Sequence, residues 1–290
     1  MYNFIGKTKI WFTFSFILMA ISIGALLFNV FVHGKALNFG QDFTGGTMIN
    51  LRFSDKITVD EVRSQLAKFK LEDSIIQKSG DNDIFIRTSP LEPEVRKQIV
   101  DGFSEKHSGV ELLETDTIGP MIGKELASQA IWALIIASIG IIIYVSIRFE
   151  FSYAMAALLA LYHDTIIIIG FTALFWRNVE TPFVAAILTI MGYSINDTII
   201  IFDRIRENNK KYAGKKMKFT EIINISISET MARSINTVLT VVITALAVLI
   251  FGGATLRDFM LTLLIGFIFG AYSSICIASP LVLFWEKKRK

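Results

Sequence analysis

Six long stretches that are almost free of charge constrain this chain more than any other feature. They are 22 to 27 residues long, and each contains at most one charged side chain. A helix needs about 20 apolar residues to cross the hydrocarbon of a bilayer. The whole chain is 52% hydrophobic and only 19% charged, which excludes an ordinary water-soluble protein of 290 residues. The sequence therefore predicts an α-helical membrane protein with six transmembrane helices.

The charges that bound these stretches predict the segment limits. The first stretch is too long for the apolar part of a signal peptide and lacks a small-residue cleavage site, so we interpret it as a retained helix. The predicted transmembrane helices are 10–33, 126–147, 151–176, 181–203, 234–256 and 259–285. The other predicted segments are an N-terminus at 1–9, an inserted domain at 34–125, a connector at 204–233 and a basic tail at 286–290.

Lysine and arginine lie mainly on one side of these helices. The N-terminus carries Lys7 and Lys9, the connector carries eight basic residues, and the chain ends in a basic tail. The short loops on the other side carry one basic residue each, Arg177 and Arg257. The positive-inside rule then places both termini and the connector in the cytoplasm of a multi-pass plasma-membrane protein. Residues 34–127, with 12 basic and 16 acidic side chains, are predicted to be extracytoplasmic.

The inserted segment is the only part that has the pattern of a water-soluble fold. Alternating apolar residues indicate strands, and Thr58 with Glu61 forms a capping-box pattern at the start of an amphipathic helix. The βαββαβ order predicts a small α+β ferredoxin-like domain between helices 1 and 2, a fold that specifies no function by itself. Its predicted elements are strand 47–53, helix 58–69, strands 73–79 and 83–88 around a turn at 80–82, a helix opened by 89–92 with Pro90 at its first position, and strand 110–116.

The connector has two parts. Residues 204–218 are basic and suit a surface of anionic lipid headgroups. Residues 219–231 place apolar side chains on one helical face, which predicts an interfacial helix. The sequence leaves two roles open, a segment that only enforces topology and a site where a partner docks.

Asp164 is the first of two acids within the apolar stretches. It lies 13 residues beyond Phe151, which is roughly 20 Å into the bilayer at 1.5 Å per residue. An ionised carboxylate at that depth costs about 3 kcal/mol even on a lenient insertion scale. Two roles fit this position, a group that takes and releases protons and a neutral acid that holds helices together.

Asp197 is the second acid, and it begins a polar seam at the end of the fourth span. Arg204 follows it by seven residues and shares its helical face, while Asn196 and Asp203 share a neighbouring face. Because the third and fourth spans are joined by a short loop, we expect Asp164 to lie near Asn196 and Asp197. The alternative is an ordinary helix end whose ion pairs contribute little.

Other chemistry has little support in the sequence. His163 is expected to point about 100° away from Asp164 around the helix. Thr237 lies on a polar stripe with Arg233, Thr240 and Thr244 that either lines a wet seam or bonds across helices. Three histidines and one cysteine are too few for a metal site, and no nucleophile, phosphate-binding or HExxH motif is present. The basic runs are short and adjacent to the membrane, which argues against nucleic acid. We therefore predict no enzyme, cofactor or metal.

Two longer motifs resemble those of the SecD/SecF family of protein-export membrane proteins. Residues 38–47 (NFGQDFTGGT) follow the first span, and residues 192–208 (GYSINDTIIIFDRIREN) close the fourth. The resemblance extends to residues 118–120, 148–150 and 163–164 and covers essentially the whole chain. This family is related to the resistance–nodulation–division transporters.

The resemblance implies an accessory subunit of the bacterial Sec pathway and no enzyme. A SecF-type chain forms one half of a twelve-helix complex with SecD, associates with the SecYEG translocon, and uses proton-motive force to move preproteins. Asp164 then matches an acid in the proton path, with Asp197 and Arg204 as its polar partners. Asp42, Gly45 and Gly46 match the motif between the first helix and the external domain, as a turn or as a hinge.

Two other functions remain open from the residues alone. A scaffold that stabilises the translocon without transporting anything fits the same topology. Half of a proton-coupled small-molecule transporter fits the intramembrane acids but explains neither external motif. A scaffold is expected to tolerate Asp164→Asn, and a proton-coupled subunit is not.

Overall fold

The chain forms two compact units in a computed structural model that describes residues 3–72, 74–79 and 82–289. One unit comprises Met1–Asn38 with Ala133–Lys290, and the other comprises Phe39–Trp132. Six helices in the described residues are long and apolar enough to cross a membrane. The predicted number of spans, in a mostly helical chain with some sheet, is therefore confirmed.

The helices and strands have the following bounds. The helices are α1 Thr8–His33, α2 Gln41–Thr44, α3 Val59–Leu66, α4 Pro93–Lys106, α5 Pro120–Arg148, α6 Phe151–Leu174, α7 Thr181–Lys211, α8 Phe219–Phe251, α9 Ala254–Ser273 and α10 Ser279–Arg289. The strands are β1 Asn38–Phe39, β2 Gly46–Arg52, β3 Ile75–Ser79, β4 Asp83–Thr88, β5 Glu111–Ile118 and β6 Asn178–Val179. Two 3₁₀ turns, Ile5–Lys7 and Ala67–Phe69, and a π-helical segment, Ser274–Ala278, complete the described elements.

Most of the predicted connector 204–233 is helical. Helix α7 continues to Lys211, and α8 begins at Phe219, so only residues 212–218 lie outside helices. The predicted interfacial helix at 219–231 is not separate, because α8 runs without a break from Phe219 to Phe251. This stretch contains neither glycine nor proline that would interrupt it. The Glu221 carboxylate also accepts a hydrogen bond from the Lys218 N–H at 3.2 Å, which caps the helix start.

The sixth span also differs from the continuous helix predicted at 259–285. It consists of α9, the π-helical segment Ser274–Ala278 and α10. A π-helical turn leaves backbone groups without their usual partners and is often found at functional sites. Here the Ser279 hydroxyl donates to the Ser274 carbonyl at 3.0 Å. The predicted tail 286–290 is helical through Arg289, and Lys290 lies outside the described residues.

The six spans are buried to different extents. In the apolar 18-residue stretch of α6, 56% of the residues are buried inside the protein, and the share is 50% for both α7 and Leu256–Trp285. The corresponding shares are 17% for α1, 11% for α8 and 6% for α5. Helices α6 and α7 and the last span therefore form the packed centre of the membrane unit.

Small residues bring the central helices together. A Cβ atom on Gly270 would lie 3.2 Å from the Ser194 Cβ, so α9 and α7 approach closely there. A Cβ atom on Gly170 would overlap the Ser22 side chain, so α6 and α1 are closer still. Close approach of this kind is how small residues support packing between membrane helices.

The second unit is a four-stranded sheet covered by helices. The chain order is β2-α3-β3-β4-α4-β5, the sheet order is β3-β4-β2-β5, and each neighbouring pair is antiparallel. The capping box is present, since Glu61 N–H donates to Thr58 Oγ1 at 3.3 Å and Thr58 N–H donates to Glu61 at 2.9 Å. The core contains Ile49 and Ile86, which are opposite each other in the sheet, and Phe103 from α4.

Two local predictions in this unit need comment. The helix predicted to open at residues 89–92 begins instead at Pro93, because Glu92 is its extended N-cap and Pro93 occupies the first turn. Of the turn predicted at 80–82, residues 80 and 81 lie outside the described residues.

Candidate functional site

Asp164 lies in the packed centre of the membrane unit and is only 1% exposed. Three groups contact its carboxyl group at hydrogen-bonding distance. His163 Nδ1 is 3.0 Å from Oδ1, and the hydroxyls of Ser194 and Ser273 each donate to Oδ2 at 2.7 Å. Among the described residues, His163 is the only titratable hydrogen-bond partner of Asp164. The acid is therefore held by three helical segments without an arginine or lysine partner in the part of the chain that is described.

His163 and the polar partners of Asp164 differ from the sequence prediction. His163 turns toward Asp164 and contacts it directly, whereas its position on the helix had suggested a separate face. The hydrogen bonds of Asp164 go to Ser194 and Ser273, and not to Asn196, Asp197 or Arg204. Asn196 is exposed on α7.

Asp197 is also buried, at 4% exposure. Its Oδ1 accepts a hydrogen bond from the Ser234 hydroxyl of α8 at 2.7 Å. Its Oδ2 is buried and has no hydrogen-bond partner within the described residues. The positive charge of Arg233, also on α8, acts on this carboxyl group through space. The sequence analysis did not include Arg233 among the site residues.

Arg204 belongs to a different cluster at the end of α7. Its guanidinium group donates to Glu229 at 2.7 Å and to Glu207 at 2.6 Å. Asn208, which is fully buried, donates to the same Glu229 oxygen at 2.6 Å. Arg204 was expected to be a polar partner of Asp164, but its hydrogen bonds go to these two glutamates. It also lies roughly 10 Å along the helix from Asp197, with which it shares a face. Glu229, on the neighbouring helix, is within reach instead.

The remaining seam residues also have other partners. Asp203 accepts a hydrogen bond from Arg148 at 3.0 Å near the end of α5, and Arg206 is 3.7 Å from it. The Thr237 hydroxyl is 2.9 Å from the carbonyl oxygens of Arg233 and Ser234 in its own helix. Of the predicted seam, the structure thus brings only His163 into contact with an intramembrane acid.

Five small hydroxyl residues that the sequence analysis did not select surround the two acids. Each is at most 1% exposed, and each hydrogen bonds an acid or another member of the group. A recognisable signal was available, since Ser273 and Ser274 are consecutive polar residues within an apolar span. The group comprises Ser194, Thr198, Ser234, Ser273 and Ser274.

The second motif, around Asp42, Gly45 and Gly46, forms a tight turn before β2. Gly45 has φ +74 and Gly46 has φ +147, backbone conformations that residues other than glycine rarely adopt. A Cβ atom on Gly46 would lie 2.6 Å from the Thr88 carbonyl oxygen, and one on Gly45 would lie 3.0 Å from Pro120 Cα. Asp42 is half-buried in the short helix α2.

A metal centre is not apparent in the described part of the chain, where His, Cys, Asp and Glu form no group of three or more that could hold a metal ion. The polar site is therefore built from two acids, one histidine, hydroxyl groups and the charge of Arg233.

Comparison with known proteins identifies the family of this chain. The family model described as "Protein export membrane protein SecD/SecF, C-terminal" matches residues 98–288, which include both buried acids. The chain is 42% identical over 290 residues to the protein translocase subunit SecF of Sebaldella termitidis, covering 98% of this chain and 92% of that protein. The chain belongs to the SecD/SecF family.

Other members of the SecD/SecF family carry the same segment within a longer protein. The protein translocase subunit SecDF of Bacillus subtilis is 39% identical over 98% of this chain, which corresponds to 38% of SecDF. The crystal structure of SecDF from Thermus thermophilus, described as a translocon-associated membrane protein, is 34% identical with a TM-score of 0.88. It is matched over 99% of this chain and 39% of its own. These relatives are named as translocase subunits and not as enzymes.

Proposed function

We propose that this chain is a SecF-like accessory subunit of the bacterial Sec machinery that couples proton-motive force to preprotein translocation. In this proposal it joins SecD in a twelve-helix complex in the inner membrane. The complex works beside the SecYEG translocon on preproteins that are being exported.

The hydrogen bonding of the two buried acids carries the proposal. Asp164 is surrounded by a histidine and two hydroxyls, and these groups can donate to an ionised carboxylate or accept from a protonated carboxyl group. A purely structural buried ion pair would instead need an opposite charge in direct contact. Asp164 and Asp197 therefore suit a proton relay, with Arg233 as a fixed positive charge near the second acid. Arg204, predicted as a third member, contacts Glu229 and Glu207, so its role in the proposal is to hold α7 to α8.

The partner requirement is supported by the uneven burial of the spans. Only 6% of the residues in the apolar stretch of α5, and 11% of those in α8, are buried within this chain. Such helices contact lipid or another subunit, and the fused SecDF relatives place a SecD segment in the same polypeptide. We propose that SecD covers part of these helices, because repeats that move against each other need both halves.

The proposed orientation follows the distribution of positive charge. Both termini and the loop at 212–218 lie in the cytoplasm, and the predicted domain 34–125 lies outside the membrane between helices 1 and 2. The antiparallel order β3-β4-β2-β5 with two helices is that of a ferredoxin-like sandwich, which we propose for this domain. A role of the domain in contacting preprotein is part of the same proposal.

Preprotein export in cells that carry Asp164→Asn as their only copy tests the function. Asparagine keeps the size of the side chain but cannot exchange a proton, so we expect export to fall to the level of cells without the protein. Membrane insertion and association with SecD are measured in parallel and should remain normal.

Asp258→Asn provides the matched control. This residue forms a surface ion pair with Arg177 at 3.4 Å, so the same chemical change should leave export near normal. Normal export by the Asp164→Asn protein would refute proton coupling through this residue and would favour the scaffold function.

A further inference from the structure

Two adjacent serines near the middle of the last span, where α9 ends, face different helices. Ser273 and Ser274 are both fully buried. The Ser273 hydroxyl is 2.7 Å from Asp164 Oδ2 on α6, and the Ser274 hydroxyl is 2.8 Å from Thr198 Oγ1 on α7. Consecutive residues on a helix point about 100° apart, so one helix can present neighbouring hydroxyls to two others. Thr198 directly follows Asp197, so the pair lies between the two acids.

Both serines share a second acceptor, the carbonyl oxygen of Gly270. The Ser273 hydroxyl is 3.0 Å from this oxygen, and the Ser274 hydroxyl is 2.9 Å from it. The same oxygen also accepts the backbone N–H of Ser274. A carbonyl oxygen has two lone pairs and a hydroxyl has one hydrogen. The two serine hydroxyls therefore compete for the Gly270 oxygen, which the Ser274 N–H already occupies in part.

The protonation state of Asp164 decides which serine uses that place. An ionised Asp164 accepts the Ser273 hydrogen, and Ser274 is then free to donate to Gly270. A protonated Asp164 donates its own hydrogen to Ser273 Oγ, so the Ser273 hydrogen turns to Gly270 and displaces Ser274. The displaced hydroxyl turns toward Thr198 and Asp197.

Asp197 has an unsatisfied hydrogen-bond acceptor that could receive the displaced hydroxyl. Its Oδ2 is buried without a hydrogen-bond partner in the described residues. The Ser274 side chain approaches the Asp197 carboxyl group without completing a well-formed hydrogen bond. A small rotation of the Ser274 hydroxyl would satisfy the ionised form of Asp197.

We propose that Ser273 and Ser274 form a hydroxyl link that makes the protonation of Asp164 and the protonation of Asp197 depend on each other. The inference rests on the proposed function, in which these acids carry protons. The two serines are positioning residues, since neither gains or loses a net proton when its hydroxyl rotates. The π-helical segment begins at Ser274, where the backbone departs from regular α geometry.

Other charged and titratable groups near the acids stay unchanged when the serines are varied. His163 on α6 contacts Asp164, and the Tyr272 ring on α9 is 6.3 Å from the His163 ring. Arg233 on α8 acts on Asp197 through space, and the charge of Asp197 acts in the same way on Tyr193 of α7. An effect of serine substitution on the coupling would therefore arise from the hydroxyls themselves.

Infrared titration of the full-length chain with SecD in lipid vesicles tests the link. The carboxyl band of Asp164 is assigned by its loss in Asp164→Asn, and its titration is compared between the wild-type and Asp197→Asn proteins. We expect Asp197→Asn to change the proton affinity of Asp164 by about tenfold, the size typical of interacting sites. In the Ser273→Ala and Ser274→Ala backgrounds this effect should fall below about twofold, within ordinary additivity. Ser273→Cys, which keeps a weak donor, should retain an intermediate effect.

Ser279→Ala is the matched control, because Ser279 is a fully buried serine in the same span whose hydroxyl donates to the Ser274 carbonyl and to neither acid. It should retain the tenfold effect. Three results would overturn the link while Asp164 still titrates. Asp197→Asn could change the proton affinity of Asp164 equally in both alanine variants, the change could be lost in Ser279→Ala, or the wild type could show no coupling. Failure of Asp164 to titrate at all would instead remove the proposed function, and the link with it.

Discussion

Gly46→Ala should strongly destabilise the unit Phe39–Trp132, because this residue combines an unusual backbone conformation with close contact to a neighbouring strand. Its φ of +147 is unfavourable for any residue with a Cβ atom. The added Cβ would lie 2.6 Å from the Thr88 carbonyl oxygen, at the edge of the β2–β4 pairing. The oxygen belongs to the backbone, so the contact can be relieved only if the strands move apart.

The two effects give the magnitude. Backbone strain of this kind costs about 1–3 kcal/mol, and overpacking against a rigid neighbour costs about 1–3 kcal/mol. We therefore expect the free energy of unfolding of this unit to fall by about 2–6 kcal/mol, a large part of the roughly 5–15 kcal/mol of a typical domain.

Hydrogen exchange of the β2 amide groups in the full-length protein measures this loss. Exchange should accelerate at least about 30-fold, since 1.4 kcal/mol corresponds to a factor of ten. Gly119→Ala is the matched control, because a Cβ at Gly119 would meet nothing within 4 Å. Its effect should stay within about 0.5 kcal/mol. Equal exchange rates in the two variants would show that the close approach at Gly46 does not constrain the unit.

Three further predictions concern other parts of the chain. Phe103→Ala removes a fully buried ring that packs against Phe53, and should lower the unfolding free energy of the unit Phe39–Trp132 by about 3–5 kcal/mol in the same exchange experiment. The hydrogen bond from Arg52 lowers the pKa of Asp83 below its ordinary value of 3.8. The ion pair should therefore stabilise the unit above about pH 4 and lose this effect as the pH falls further, and acid unfolding of Asp83→Asn should lack that contribution. Asn208→Ala removes one of the hydrogen-bond donors to Glu229, so the packing of α7 against α8 should be destabilised by about 1–3 kcal/mol. An added protease should then cleave residues 212–218 faster.

The fold was largely predictable because its main determinants are local or periodic. The six spans follow from stretches of 22 to 27 residues with almost no charge, and Thr58 with Glu61 marks a helix start that the structure contains. The end of α7 was not predictable in this way. Charged residues such as Asp203 and Arg204 mark the limit of the hydrocarbon, but a helix can continue into water beyond that limit, as α7 does to Lys211.

The candidate site was only partly predictable because its geometry depends on which helices pack together. Asp164 and Asp197 are conspicuous as single acids in apolar stretches. Their partners come from other helices, as Ser273 does for Asp164 and Ser234 does for Asp197. Spacing along a single helix favoured Arg204, which lies too far along α7 to reach Asp197. Helical periodicity identifies a face, and tertiary packing decides what that face contacts.

The shallow burial of α5 has a consequence for how much of this protein a cell can maintain. Only 6% of the residues in the apolar stretch of α5 are buried within its own chain, so packing against the rest of the chain stabilises this helix little. In the proposed complex, its orientation in the bilayer would then depend mainly on contacts with SecD. Copies made in excess of that subunit would remain partly assembled and open to degradation, since small losses of stability already change abundance several-fold. The amount of assembled protein is thus expected to follow the less abundant of the two subunits. A fused gene removes the imbalance, because it produces both subunits in equal number.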